Sequence, residues 1–207
     1  MQIILVANSK GGCGKTSIAT NIAAACAQAG RVTALADVDR QRSALGWVKR
    51  RPKDRPPVDG IDWVKDIAKA PKAVERLVID SPAAMRMKQM EDLVRLADMV
   101  VLPVLPSVFD EAATQGFLKK LEDLKPIRKD RTALAVVGNR MRARTRAADR
   151  LDRFLAALGQ RVVTRLRDSA LYAEAAASGL GLADLPARRA AAARSDWQPL
   201  LEWLETT

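Results

Sequence analysis

Apolar residues fall in short continuous blocks separated by amphipathic stretches, and the two alternate along the whole chain. Residues 2–8 form the first block. A run so short and so apolar predicts a strand buried on both faces. Residues 16–29 are alanine-rich with helical spacing, and Gly30 follows, where a helix commonly ends on a glycine. Further strands are predicted at 32–37, 61–64, 76–80, 98–104, 132–138 and 161–164. Helices are predicted at 43–50, 87–96, 108–124, 145–158, 169–178 and 188–205, with a weak one over 65–75. Residues 51–60 carry three prolines among basic residues and predict a loop. Strands regularly separated by helices, with no internal repeat and no linker, predict one α/β domain over residues 1–207. Its sheet is mostly parallel and twisted, with helices on both faces.

Composition narrows this picture. A chain of 207 residues can bury a sizeable core, and with 48% hydrophobic but only 4% aromatic residues that core is built from alanine, leucine and valine. No apolar run reaches about 18 residues, so no membrane-spanning helix is expected. The N-terminus runs straight into the first strand without a secretion signal, which implies a cytoplasmic protein. Cys13 and Cys26 are too few for a disulfide framework and read as reduced residues, with a redox role for Cys13 as the alternative. The absence of histidine removes the usual general base and the usual zinc ligand.

The most specific chemistry lies between the first strand and the first helix, in Lys10-Gly11-Gly12-Cys13-Gly14-Lys15-Thr16-Ser17. Strand, glycine-rich turn and helix start are the context of a phosphate loop, here with a shortened spacer. Its glycines let backbone N–H groups curl around phosphate oxygens, and the helix turns its positive end to the same anion. Lys15 is placed to reach β- and γ-phosphates, and the Thr16 hydroxyl to hold Mg²⁺. Two later strands end in carboxylates, Asp37-Val38-Asp39 and Asp80-Ser81. In open parallel sheets that edge is where ligands bind. Asp80 is expected to hold Mg²⁺ directly or through water, Asp37 to steady the metal shell, and Asp39 to orient or deprotonate an attacking water.

Taken together, Lys-Gly-Gly-x-Gly-Lys-Thr, Asp37-x-Asp39-x-Gln41 and Ile79-Asp80-Ser81-Pro82 resemble the ParA/MinD family of deviant Walker ATPases. The segments Leu102–Ser107 and Val136–Arg140 resemble that family's strand after the second carboxylate and its adenine-contacting segment, so the resemblance spans roughly residues 2–186. The compact length is similar to short plasmid-type ParA proteins. The resemblance implies ATP as substrate with Mg²⁺, and an ATP-sandwich homodimer in which Lys10 crosses to the partner's phosphates. It further implies Asn139 on the adenine edge, nonspecific DNA binding, a ParB-like partner that stimulates slow hydrolysis, and partition or positioning of DNA or another cargo. The chain departs from the family pattern at Arg40, where proline is usual, and at Ala83-Ala84. A MinD-like membrane ATPase, a metabolic ATP-dependent enzyme and a scaffold without turnover remain alternatives on the same motifs.

Charge adds the last expectation. The net charge is +11, and residues 140–153 hold six arginines against two aspartates. Arg161, Arg165, Arg167, Arg188, Arg189 and Arg194 follow. No aromatic residues interleave with them, which suits sequence-independent phosphate contact rather than base stacking; a solvated helix face is the plain alternative. The tail from Ser195 is acidic, so its Trp197, Leu200, Leu201 and Leu204 are expected to pack on the body rather than enter an anionic membrane.

Overall fold

The structure is a computed structural model and describes residues 1–206. Its strands are β1 (Gln2–Val6), β2 (Thr33–Asp37), β3 (Val58–Asp62), β4 (Arg76–Asp80), β5 (Met99–Val104), β6 (Ala133–Met141) and β7 (Val162–Arg167). They form one sheet in the order β3-β2-β4-β1-β5-β6-β7, with every pair parallel. The helices are α1 (Lys15–Gln28), α2 (Ser43–Arg50), α3 (Met87–Leu96), α4 (Val108–Glu122), α5 (Lys125–Arg128), α6 (Arg146–Ala157), α7 (Leu171–Ala177) and α8 (Ala187–Thr206), with a 3-10 turn at Leu182–Asp184.

Because side chains alternate across a strand, each apolar block feeds two cores. Ile4 and Val6 of β1, Leu35 of β2 and Val101 of β5 face the layer of α1, α2, α7 and α8. Leu5 of β1, Ile79 of β4, Val100 and Leu102 of β5 face the layer of α3, α4 and α6. Alanines at 19, 23, 24 and 27 let α1 sink against the sheet, where it is buried on nearly every side. The chain leaves β1 toward β2 on one side, and the strand that follows β4 returns to β1's other side. β1 therefore ends at the sheet's switch point, where the loop before α1 lies open to a ligand.

Several boundaries differ from expectation for physical reasons. β3 starts at Val58, inside the predicted loop, because Val58, Asp59 and Gly60 pair with Thr33, Ala34 and Leu35 once Pro56 and Pro57 are passed. Gly60 belongs there, since a Cβ would meet Leu45 Cδ2 of α2 at 2.9 Å. No helix forms over 65–75. Buried Trp63 and Val74 anchor that segment at its ends, and Pro71 interrupts it. The predicted 108–124 helix stops at Glu122, and Pro126 starts the separate turn α5. β6 runs three residues past its expected end, with irregular register after Gly138 and a left-handed Arg140 at φ 52°. Helix α8 tolerates Pro199 because Ser195, whose carbonyl loses its partner, is exposed to water. Of its apolar face, Trp197, Leu200 and Leu204 are buried in the core as expected, Leu201 is only partly buried, and Trp203, not among the expected residues, is buried with them. Among the described residues no helix is long and apolar enough to cross a membrane.

Candidate nucleotide site

The turn between β1 and α1 is shaped by its glycines. Gly12 and Gly14 take φ of 75° and 96°, and a Cβ on Gly14 would lie 2.3 Å from Asn139 Nδ2. Lys15 is buried, and its Nζ donates to the Lys10 carbonyl at 2.7 Å, drawing the turn into a ring. Gly11, Gly12 and Ser17 are exposed on the outer side of that ring. Cys13 is fully buried, and burial pushes its thiol up more than the nearby Lys15 lowers it, so it stays protonated. Asn8, a polar residue closing an apolar block, was not singled out from the sequence, yet it holds the turn. Its Nδ2 donates to Pro103 O at 2.7 Å and Thr114 Oγ1 at 3.1 Å, while its Oδ1 accepts from Lys10 N–H at 3.2 Å.

The carboxylates converge on this turn. β4 lies beside β1 with Asp80 opposite Val6, and beside β2 with Asp80 opposite Asp37. Thr16 Oγ1 donates to Asp80 Oδ2 at 2.7 Å, and Asp80 Oδ1 is buried with no hydrogen-bond partner. Burial above all, then the neighbouring Asp37 charge, pushes the Asp80 carboxyl up to about 7, against the lowering effect of the Thr16 hydroxyl. A buried carboxylate oxygen without a partner, next to a threonine hydroxyl and a buried lysine, fits a hydrated Mg²⁺ held together with phosphates. Asp37 is fully buried opposite Asp80, and its oxygens accept from Asp39 N–H and Leu45 N–H, both at 3.0 Å, so it also braces the turn into α2. Asp39 is half-buried, with Oδ1 accepting from Gln41 N–H at 3.0 Å. It lines a polar groove with Arg40, Gln41, Pro82 and Arg86. Ser81, also missed from sequence, donates to Val6 O at 3.0 Å and ties the end of β4 to β1.

A second cleft of about 410 Å³ opens beside the start of α1. Ser17, Ile18, Asn139, Arg142, Asp168 and Tyr172 are among its walls. Asn139 lies at its inner edge, with Nδ2 donating to Cys13 O at 2.8 Å and Oδ1 accepting from Arg140 N–H at 2.9 Å. The arginines divide into two sets. Arg165, Arg167 and Arg189 pair with Asp152, Asp196 and Glu174, while the half-buried Arg194 donates to the carbonyls of Leu182, Ala183 and Leu185. Arg140, Arg144, Arg146, Arg153, Arg161 and Arg188 are exposed.

Known proteins resemble this chain in sequence and in fold. Residues 4–182 match the CobQ/CobB/MinD/ParA nucleotide binding domain. The chain is 33% identical over 197 residues to maintenance of carboxysome distribution protein A of Halothiobacillus neapolitanus, covering 92% of this chain and 90% of that protein. In structure it resembles a plasmid partition protein of Borrelia burgdorferi bound to AMPPNP, with a TM-score of 0.76 at 14% identity over 98% of this chain and 99% of that one. It also resembles MinD of Pyrococcus horikoshii in complex with Mg-ADP, with a TM-score of 0.71 at 17% identity over 99% and 96%. These two likenesses speak for the fold, and the domain match goes further: the chain belongs to the CobQ/CobB/MinD/ParA family of nucleotide-binding domains.

Proposed function

We propose that this chain is an ATP-hydrolysing positioning protein of the ParA type. One observation carries the reading: Thr16 and Asp80 meet beside Lys15 at the end of β1, with one buried Asp80 oxygen left free. In this reading the N–H groups of Gly11, Gly12, Cys13 and Gly14 cradle the phosphates, and Lys15 leaves the Lys10 carbonyl for the β- and γ-phosphates. Ser17 supports the same cradle from the helix start. Thr16 and Asp80 hold Mg²⁺, which neutralises charge on the phosphates. Asp37 fixes the turn that carries Asp39, and Asp39 orients the attacking water or takes its proton. Asn139 meets the base from the inner edge of the second cleft. Lys10 reaches the phosphates of a second copy, so ATP joins two chains into a homodimer.

The cargo function follows the relatives. One relative is named for the maintenance of carboxysome distribution and a protein of the same fold is named for plasmid partition, so the names share no cargo. We infer that this chain positions a cytoplasmic cargo by binding the nucleoid in its ATP state through exposed arginines and leaving it on hydrolysis. A ParB-like partner sets the rate. Helix α8 buries its apolar face, which disfavours the membrane alternative.

Calorimetry and phosphate release test the site. Lys15→Ala is expected to abolish ATP binding, and unchanged affinity refutes the phosphate-loop assignment. Asp39→Ala is expected to bind ATP as the parent does while phosphate release falls to background. Normal turnover in that variant removes Asp39 from the mechanism.

A further inference from the structure

The first turn of α4 is inside out. Phe109 is 80% exposed and Val108 57%, while the acidic Asp110 and Glu111 beside them are buried. A surface helix ordinarily does the reverse. The inversion is pinned: Glu111 Oε1 accepts from Arg150 Nε at 3.0 Å, and Glu111 N–H donates to Ser107 O at 2.9 Å. Rolling the turn to hide Phe109 would pull a buried carboxylate off its arginine, so the exposure of the ring is built in.

Helical spacing puts Ala112, Ala113 and Gly116 on the same side of α4 as Phe109, and these three, with Ser9, Ala83 and Met85, line a groove of about 340 Å³ whose walls do not include the ring itself. Gly116 sits in the middle of α4, where glycine costs roughly 1 kcal/mol relative to alanine. Nothing inside the chain asks for it, since a Cβ there would find no atom within 4 Å. Methionine walls are adaptable and suit contact with another protein surface. The groove begins at Ser9, next to Lys10, and also touches Ala83 beyond Asp80.

We propose that this groove, with Phe109 as its anchor, receives a second copy of this chain in the ATP-bound dimer. The inference rests on the reading that Lys10 serves the phosphates of the other copy. If two phosphate turns face each other across a two-fold axis, the ground next to Ser9 lies inside the contact. A stable interface buries about 800 Å² per partner, far more than the turns alone supply. The contact is isologous, so each copy gives a Phe109 and receives one, and each site is incomplete without the Lys10 of its partner. The small Ala112 and Gly116 leave room for the incoming chain, and a bulky side chain at either would exclude it.

The test is the oligomeric state of the full chain with a slowly hydrolysed ATP analogue and Mg²⁺, measured by sedimentation over a range of concentrations. Phe109→Ser and Gly116→Leu are the variants, and Phe109→Leu is the conservative control. Both positions are exposed, so folding is expected to be intact; Gly116→Leu should melt no lower than the parent because it adds helix propensity. Binding of a fluorescent ATP analogue at concentrations where the chain is monomeric is expected to be unchanged. The dimer dissociation constant is expected to rise about 10²- to 10⁴-fold in Phe109→Ser, because the two-fold contact loses two buried phenyl rings, to rise clearly in Gly116→Leu, and to rise less in Phe109→Leu than in Phe109→Ser. A parent chain that dimerises while Phe109→Ser and Gly116→Leu dimerise equally well overturns the anchor and leaves the ATPase reading standing. A parent chain that binds the analogue and stays monomeric overturns the anchor together with the reading of Lys10 as a group serving a second copy.

Discussion

Asp80 shows how a single buried carboxylate can work against the fold that holds it. Its carboxyl is pushed up to about 7 by burial, so between about pH 4 and 7 the folded chain holds a proton that the unfolded chain has released. Stability from this group is greatest below that window and falls as pH rises through it, because above it the fold must bury a charge. Asp80→Asn removes the charge and keeps an acceptor for Thr16. In chelator, the variant is expected to be more stable than the parent at pH 8 by on the order of a few kcal/mol, with the gap closing toward pH 4. Melting curves at pH 8 and pH 5 check this, and equal stabilities at pH 8 would show that the carboxylate is not strained. The same variant should lose Mg²⁺-dependent stabilisation by nucleotide. Residue identities were legible at this scale because glycines, lysines and strand-end aspartates announce themselves. Their partners were not. Asp37 and Asp80 look alike in sequence, and only the strand order β2-β4-β1, which sets Asp80 and not Asp37 next to β1, gives Asp80 to Thr16 while Asp37 also holds the turn into α2.

At the scale of elements, the least legible part is a clamp that ties four of them together. Arg51, just past α2, pairs with Asp184 of the 3-10 turn through two contacts of 2.9 Å; the two side chains are 4% and 0% exposed. Gln28 of α1 and Gly181 N–H also donate to Asp184, Arg51 donates to Gly179 O, and its guanidinium lies 5.2 Å from the Trp47 ring centre. Burial pulls the Asp184 carboxyl up, yet the hydrogen bonds from Arg51, Gln28 and Gly181 win and hold it below the usual range. Its contribution is therefore present above about pH 4, and lost only in stronger acid. Because every donor and acceptor is matched, breaking one side leaves a buried charge. Asp184→Ala is expected to cost about 3–5 kcal/mol in denaturant unfolding, whereas Arg51→Met with Asp184→Leu recovers only part of it, since Gln28 and the Gly181 N–H still lose their acceptor. Sequence reading assigned Arg51 to a basic loop because nothing local marks its partner 133 residues away. For the same reason the strand–helix alternation was readable from apolar blocks, while β3, whose pattern is polar and whose place is set by pairing with β2, was found three residues late.

For the whole molecule, the excess of +11 is a matter of distribution as much as of amount. Arginines near the C-terminal end are largely occupied by carboxylates or carbonyls, whereas Arg140, Arg144, Arg146 and Arg153 stand exposed around the end of β6 and on α6. Arg140 and Arg142 also line the cleft beside Asn139, so the basic surface and the proposed base pocket share a wall. Arg142 is held there by Asp168 at 2.7 Å while its side chain stays 76% exposed. A nucleotide entering the cleft would thus act on the same loop that presents charge to a polyanion. If the exposed set contacts DNA phosphates, the logarithm of affinity for random duplex should fall linearly with the logarithm of salt, by about 0.9 for each phosphate neutralised. Arg144→Ala with Arg146→Ala should flatten that slope by about 1.8, since two contacts are lost, and should weaken binding equally for unrelated sequences. Lys69→Ala with Lys72→Ala, exposed between β3 and β4, should leave the slope unchanged. Gel shifts with ADP and with the slowly hydrolysed analogue decide the matter. Retention that depends on the analogue and on Arg144 and Arg146 supports a DNA-bound ATP state, and a slope indifferent to both arginines assigns them to an ordinary hydrated face.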